Sequence, residues 1–257
     1  MDNRAIGVFD SGVGGLTVAN TIMQALPNER IIYYGDAARL PYGTKSKETI
    51  IKYSAEITRF LVDRNVKIIV IACNSASSNA YDYLTAHFDL PIVEVVSAGV
   101  SECLKKVKKI TGVIGTRSTV DSGAYDIISK INPAITVYQK ACPLFVPLAE
   151  EGWGDSEIAL QTAEIYLGEL LEKNIDTLLL ACTHYPLLLN TIKKVTPDVC
   201  VVNPAKAVAK KVKAVLTDNN MLADSPGEHE FILSDTSPAF EYIKKKLFLD
   251  NTGFLKT

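Results

Sequence analysis

The sequence has no run of 18 or more consecutive apolar residues, which is about the length that a membrane-spanning helix needs. It therefore predicts no contact with a membrane. The first ten residues, MDNRAIGVFD, also lack the apolar stretch of a secretory signal. We expect a cytoplasmic location for the protein.

An excess of charge of one sign is missing as well. The 257 residues carry 27 basic and 29 acidic side chains, which gives a formal net charge of −2. Short lysine clusters occur at 105–109, 210–213 and 244–246, and clusters of this length are typical of solvated helix faces. We expect that no nucleic acid is required as a partner.

The cysteines do not form a pattern that indicates disulfides or a structural metal site. They number five, an odd and widely spaced set, and the sequence has no C-x-x-C or H-x-x-H pair. We therefore predict no metal. For Cys103, Cys142 and Cys200 we expect the role of small buried hydrophobic residues.

Short apolar runs alternate with longer amphipathic segments along the chain. The runs predict strands at 5–10, 30–36, 67–73, 91–96, 110–115, 135–142, 177–182 and 199–203. The clearest helical patterns lie at 46–64, 101–108, 155–173 and 204–216. Such alternation predicts an α/β fold with parallel sheets that helices cover on both faces.

The two halves of the chain resemble each other. Ala72-Cys73 and Ala181-Cys182 both end an apolar run, and the shift that superposes them also pairs Asn65 with Asn174. Two unrelated strand–helix units can look alike by chance, but the recurring order of elements favours a duplication. We predict two pseudo-symmetric parallel-sheet α/β domains facing each other across a cleft, with residues 1–96 plus 205–257 in the first and 97–204 in the second.

The loop after the first predicted strand, FDSGVGGLT, is rich in glycine. A dinucleotide fingerprint needs a glycine where this chain has Thr17, and a P-loop needs a lysine that is absent. Asp36 leaves a ribose-binding interpretation open. The simpler interpretation is a carboxylate site that Asp10, Ser11 and the backbone N–H groups at the helix start provide.

Cys73 and Cys182 each stand between a predicted strand and the helix that follows it. A helix N-terminus stabilises a thiolate by about 0.3–1 kcal/mol, and about 1.4 kcal/mol is needed to move a pKa by one unit. Further groups are therefore required, and Asp10 and His184 are expected beside Cys73 and Cys182 respectively. Tyr42-Gly43 is expected at the rim of the same site.

Two thiols at equivalent points of two facing domains suit the inversion of a carbon centre. One thiolate removes a proton from one face, and the opposite thiol returns a proton to the other face. The turns contain no lysine suited to a pyridoxal Schiff base, so we predict no cofactor.

Five segments resemble the motifs of bacterial glutamate racemases, within the aspartate/glutamate racemase superfamily: GVFDSGVGGLTV, GDAARLPYGTKS, ACNSAS, CPLFVPLAEEG and ACTHYPLL. The resemblance spans about residues 5–205 in the correct order. It implies cofactor-independent interconversion of L- and D-glutamate, the supply of D-glutamate for peptidoglycan, and a homodimer.

The resemblance also implies a role for each matching residue. Cys73 would deprotonate D-glutamate and Cys182 L-glutamate. Asp10 would assist the first thiol, and His184 with Glu150 the second. The implied substrate-binding residues are Asp10, Ser11, Tyr42, Gly43, Asn74, Ser75, Thr116, Thr119, Thr183 and His184.

The chain departs from the family pattern at three places. Ser75 stands where threonine is usual, VEVVSAG lacks the common Glu-Pro-Gly, and Asn203-Pro204 replaces an Asp-Ser pair. The alternatives are a racemase or decarboxylase of the same superfamily that acts on another small carboxylic acid such as aspartate, and a non-enzymatic binding protein.

Overall fold

Nine strands form two separate sheets within residues 1–248, the part of the chain that the computed structural model describes. The first sheet contains β1 (Ile6–Asp10), β2 (Ile31–Gly35), β3 (Ile68–Ile71), β4 (Ile92–Glu94) and β9 (Glu230–Leu233). The second contains β5 (Ile110–Gly115), β6 (Thr136–Ala141), β7 (Thr177–Ala181) and β8 (Cys200–Val202). All the pairings between these strands are parallel, which confirms the predicted α/β class with two parallel sheets.

The two sheets share one topology. The first runs β4-β3-β1-β2-β9 and the second β8-β7-β5-β6, so β5 to β8 repeat the spatial order of β1 to β4. In each sheet the second strand (β2 or β6) lies on one side of the first (β1 or β5), and the third strand (β3 or β7) lies on its other side. In such sheets the crevice where the strand order reverses lies at the carboxyl ends of the two central strands, and it is the usual place for a ligand.

Helices connect the strands and cover both faces of the first sheet. They are α1 (Leu16–Ala25), α2 (Lys47–Asp63), α3 (Asn74–His87), α4 (Val95–Leu104), α5 (Arg117–Asp121), α6 (Ile127–Ile131), α7 (Phe145–Glu150), α8 (Glu157–Leu171), α9 (Leu189–Val195), α10 (Ala205–Asp218) and α11 (Pro238–Phe248). In β1, Ile6 and Val8 join the core cluster that contains α1 and α10, and Phe9 joins the cluster that contains α2 and α3. This alternation is what a strand buried on both faces requires.

The internal repeat seen in the sequence has a structural counterpart at two asparagines. Asn65 follows α2 with φ 57° and Asn174 follows α8 with φ 54°, so both adopt the left-handed conformation. Asparagine is one of the few residues other than glycine that tolerate this conformation after a helix. Each asparagine turns the chain from a helix into the strand that ends at one of the two paired cysteines.

Two predicted elements near the centre of the chain were placed wrongly. The run 91–96 was expected to be a strand, but the strand ends at Glu94 and α4 begins at Val95. The Glu94 carboxylate accepts hydrogen bonds from the backbone N–H groups of Val96 and Ser97, which starts the helix there. The helix predicted over 101–108 therefore lies over Val95–Leu104.

The chain returns to the first sheet after the second is complete. Helix α10 packs against α1 and α4, and β9 then pairs with β2 at the edge of the first sheet. The proposed domain boundary at residue 96 falls inside α4, and the division into two domains at the stated residues stays a prediction. The last segment of the predicted first domain, 249–257, lies outside the described residues.

None of the helices in residues 1–248 is both long enough and apolar enough to cross a membrane.

Candidate active site

The carboxyl ends of the central strands face one another across a cavity. Asp10 is the last residue of β1, and Cys73 stands between β3 and α3. In the second sheet Thr116 directly follows β5 and Cys182 directly follows β7. Each half of the molecule therefore contributes its topological switch point to the same space.

Eleven of the thirteen predicted site residues line this cavity. They are Ser11, Tyr42, Gly43, Cys73, Asn74, Ser75, Thr116, Glu150, Cys182, Thr183 and His184. The other two, Asp10 and Thr119, are fully buried behind the wall and contact residues that line it.

Four further residues line the cavity and were not predicted. Gly12 belongs to the glycine-rich loop, Leu40 and Pro41 precede Tyr42, and Val146 lies in α7. Their neighbours in the sequence were identified from motifs, so proximity in sequence could have found the first three. Val146 has no polar group to mark it, and its position depends on how α7 packs.

Cys73 lies in an apolar and negatively charged environment. Its Sγ is 3.4 Å from Ser11 Oγ and accepts the N–H of Ala76 at 3.5 Å, as the N-cap of α3. Burial, together with the negative charge of Asp10, raises the pKa of this thiol to about 12. Cys73 is therefore protonated at neutral pH in this structure.

Asp10 is completely buried, but hydrogen-bonded. Its carboxylate accepts the N–H of Gly12 at 3.1 Å and the hydroxyl of Thr183 at 3.4 Å. Burial raises the pKa of the Asp10 carboxyl above its ordinary value, although the positive charge of His184 and these hydrogen bonds act against the rise. The bond from Thr183 also joins the two halves of the molecule.

Cys182 has a different neighbour. Nδ1 of His184 is 3.9 Å from its Sγ, and Nε2 of the same ring is 3.0 Å from Glu150 Oε1. Burial alone would lower the pKa of His184, but the hydrogen bonds and negative charges of Cys182 and Glu150 outweigh it and raise the pKa to about 10. The chain Cys182–His184–Glu150 is arranged to move a proton to or from the second thiol.

A group of hydroxyls closes the cavity between α3 and α5. Ser75 Oγ is 2.8 Å from Thr116 Oγ1 and 3.4 Å from Thr119 Oγ1, and the two threonine hydroxyls are 3.0 Å apart. Ser75 thus keeps a hydroxyl where the family pattern has threonine, and the hydroxyl reaches the other half of the molecule. Such neutral donors suit a carboxylate ligand.

The two residues predicted at the rim of the site, Tyr42 and Gly43, shape the cavity wall by packing rather than by presenting a polar side chain to the cavity. The side chain of Tyr42 is almost fully buried, and its hydroxyl donates to the carboxylate of the buried Asp36 rather than to the cavity. A Cβ atom at Gly43 would lie 2.6 Å from Thr116 Cβ, so glycine allows the rim to approach the second half of the molecule. The ribose-binding interpretation of Asp36 does not fit a carboxylate that is fully buried and bound to Tyr42, Arg39 and Ser234.

The remaining cysteines lie elsewhere. Cys103 and Cys142 are buried, as expected. The prediction for Cys200 was wrong, because it begins the edge strand β8 and its side chain is exposed. Across residues 1–248 no group of three or more His, Cys, Asp and Glu side chains is arranged to hold a metal ion.

Comparison with known proteins identifies the family. A sequence model described as Asp/Glu/Hydantoin racemase matches residues 6–212. The glutamate racemase of Geobacter metallireducens is 47% identical over 242 residues, covering 92% of this chain and 90% of that protein. The chain belongs to the Asp/Glu/hydantoin racemase family. The predicted resemblance is confirmed, and with it the assignment to the racemases, which are isomerases.

Solved structures agree with this assignment. The crystal structure of glutamate racemase from Francisella tularensis in complex with D-glutamate superposes with a TM-score of 0.91 at 42% identity, covering 97% of this chain and 95% of that one. A glutamate racemase isoform of Bacillus anthracis gives a TM-score of 0.92 at 35% identity, covering 98% and 96% respectively.

The close contact at Gly14 generates a first prediction for this racemase. A Cβ atom there would lie 2.5 Å from His184 Nδ1 and 2.6 Å from Thr183 Oγ1, so Gly14→Ala must displace the turn that follows Cys182. We expect kcat/KM to fall about 100-fold, because displacements of about 1 Å have effects of this size. Circular dichroism of the reacting enantiomers measures the rate.

The matched control for this variant is Gly168→Ala in α8, where a Cβ atom would meet nothing within 4 Å. Alanine is favoured over glycine inside a helix by about 0.5–1 kcal/mol, so the control should remain fully active and slightly more stable. Equal activity of the two variants would contradict the proposed contact.

The raised pKa of His184 generates a second prediction. The imidazole keeps its proton in the folded chain up to about pH 10 but loses it near pH 6.5 when unfolded. Its stabilising contribution is therefore complete below pH 6.5 and is lost as the pH rises to about 10. Over this interval we expect the free energy of unfolding to fall more steeply for the wild type than for His184→Asn, by up to about 1.4 kcal/mol per pH unit. Denaturant unfolding at several pH values tests this, and parallel profiles would refute it.

Proposed function

We propose that the protein is a cofactor-independent glutamate racemase that uses Cys73 and Cys182 as its two acid–base residues. The observation that carries this proposal is that both thiols line one cavity, at equivalent strand ends of two repeated sheets. Inversion of a carbon needs proton transfer on two opposite faces of that carbon. The strand ends of one sheet lie on a single edge and can approach the carbon from one face only, whereas two facing sheets can place an acid–base group on each face.

The proton transfers balance in each direction. A thiolate takes the α-proton and becomes a thiol, while the opposite thiol gives its proton to the other face and becomes a thiolate. With Cys73 protonated and the positive charge of His184 beside Cys182, the free site is ready for the enantiomer that Cys182 deprotonates. By resemblance this is L-glutamate, and Cys73 acts as the base in the reverse direction.

The carbanion requires stabilisation by groups that are already in position. The cavity offers the hydroxyls of Ser11, Ser75 and Thr116 and the amide of Asn74, and none of the residues found to line it is lysine or arginine. Fixed dipoles in a site without much water stabilise developing negative charge efficiently. They also suit a ligand with two carboxylates.

The substrate assignment rests on the relatives. The proteins compared above are glutamate racemases, one of them in complex with D-glutamate, at 35–47% identity over nearly the whole chain. The supply of D-glutamate to peptidoglycan, a cytoplasmic location and a homodimer are the further parts of this proposal, and they follow from the same resemblance.

Hydrogen exchange with solvent tests the reaction and the substrate together. In deuterium oxide each enantiomer of glutamate should yield an opposite enantiomer that carries deuterium at the α-carbon, while unreacted substrate at early times stays protiated, because a different thiol donates. Aspartate should react much more slowly. Nuclear magnetic resonance with chiral chromatography measures both, and comparable rates on aspartate or loss of carbon dioxide would favour the alternative enzymes of the superfamily.

The two thiols should be individually indispensable. Cys73→Ser or Cys182→Ser replaces an acid–base thiol by a poorly acidic hydroxyl, and we expect the racemisation rate to fall by about 100-fold or more, the usual contribution of a general acid or base. Since the two enantiomers have equal free energy, kcat/KM must fall equally in both directions. Normal turnover in either variant would overturn the two-base assignment.

The chain provides a matched control for these variants in Cys200→Ser. This thiol is exposed on β8 and does not line the cavity, so its replacement should leave the rate unchanged.

A further inference from the structure

Tyr125 is a buried residue of the second half of the molecule that contacts the cavity wall of the first half. It lies in the short turn Ala124–Asp126, its side chain is completely buried, and its hydroxyl donates to Asn74 Oδ1 at 2.6 Å. Asn74 is the first residue of α3 and lines the cavity next to Cys73. No motif in the sequence indicates a connection between these two residues.

The hydrogen bond decides which way the Asn74 amide points. A buried phenol must place its hydrogen on an acceptor, because an unpaired buried donor is costly. Within residues 1–248, Asn74 Oδ1 is the acceptor for the hydroxyl of Tyr125, so the amide oxygen points toward Tyr125. The amide nitrogen has no acceptor among the same residues, and because Asn74 lines the cavity, we infer that its two hydrogens are available to a ligand there.

We propose that Tyr125 is a positioning residue that holds the Asn74 amide with its nitrogen toward the cavity, so that Asn74 donates to a carboxylate of the substrate. This inference rests on the proposed function, in which the substrate is a dicarboxylic amino acid. With the amide reversed, the oxygen would meet the carboxylate and repel it.

Two properties of Tyr125 suit this role. Burial, reinforced by the negative charge of Glu94, raises the pKa of its phenol well above the ordinary value, so it remains a donor at neutral pH. Asn74 belongs to the unit built on the first sheet and Tyr125 to that built on the second. The amide is therefore oriented only when the two halves are together, which links carboxylate recognition to closure of the cavity.

The test is a cycle of variants assayed in both directions of racemisation: Tyr125→Phe, Asn74→Ala and the double variant. Tyr125→Phe keeps the ring and removes the hydroxyl, and we expect KM to rise about threefold to tenfold with a smaller change in kcat, as for one lost hydrogen bond. In the Asn74→Ala background the same substitution should have no further effect on KM. Tyr166→Phe, which removes a hydroxyl that accepts the N–H of Leu144 outside the cavity, is the control and should leave KM unchanged.

Asn74→Asp tests the orientation without altering Tyr125. It keeps an acceptor for the phenol but replaces the inward-facing nitrogen by a charged oxygen, so KM should rise more than in Tyr125→Phe. An unchanged or lower KM in Asn74→Asp would overturn the inference, because the oxygen of Asn74 would then face the ligand.

The remaining outcomes separate this inference from the proposed function. If Asn74→Ala raises KM but Tyr125→Phe does not, or if the two effects on KM are additive, the inference fails while the racemase assignment stands. If the wild type does not racemise glutamate, the proposed function itself fails.

Discussion

The structure of the site depends on the close approach between the loop after β1 and the turn after β7. Gly14 leaves room for the ring of His184, the buried carboxylate of Asp10 receives the hydroxyl of Thr183, and Thr17 Oγ1 donates to the carbonyl oxygen of Thr183 at 3.1 Å. These contacts bring the carboxyl ends of two parallel sheets to one cavity.

The two thiols have equivalent positions in the topology but different electrostatic surroundings. Cys182 has an imidazole that Glu150 holds in place, whereas Cys73 has the carboxylate of Asp10 behind it and a pKa raised to about 12. In the proposed mechanism, the ammonium group of the amino acid would bring a positive charge that favours the thiolate of Cys73, so binding of the substrate would contribute to activation of the first thiol.

Much of the fold and the site could be predicted because the relevant signals are local. Apolar runs predicted eight of the nine strands that residues 1–248 contain, and small polar residues at the carboxyl ends of these strands predicted the site. One error was local, because the cap by Glu94 that starts α4 was missed. The other errors concern residues whose environment depends on distant parts of the chain. Strand β9 was missed because it is short and only partly buried at the edge of the first sheet, and Cys200 is exposed because β8 is also an edge strand. The direction of the Tyr42 hydroxyl and the contact of Tyr125 with Asn74 arise from packing between segments, and no spacing rule encodes them.

The position of the cavity between the two halves sets a condition on catalysis. Residues of both halves line it, so a change in their separation alters the room that a ligand finds there. The side-chain contacts that cross between them include hydrogen bonds such as Ser75–Thr116 and Asn79–Ser118, each worth about 0.5–1.5 kcal/mol net. They also include apolar packing, because Leu16 and Leu188 belong to one buried core cluster. Helices α4 and α10 pack against each other, and the chain passes between the two halves through them, because α4 leads from β4 to β5 and α10 leads from β8 to β9. These contacts hold the opposing strand ends together, and the arrangement that they favour is the one in which both thiols line the same cavity.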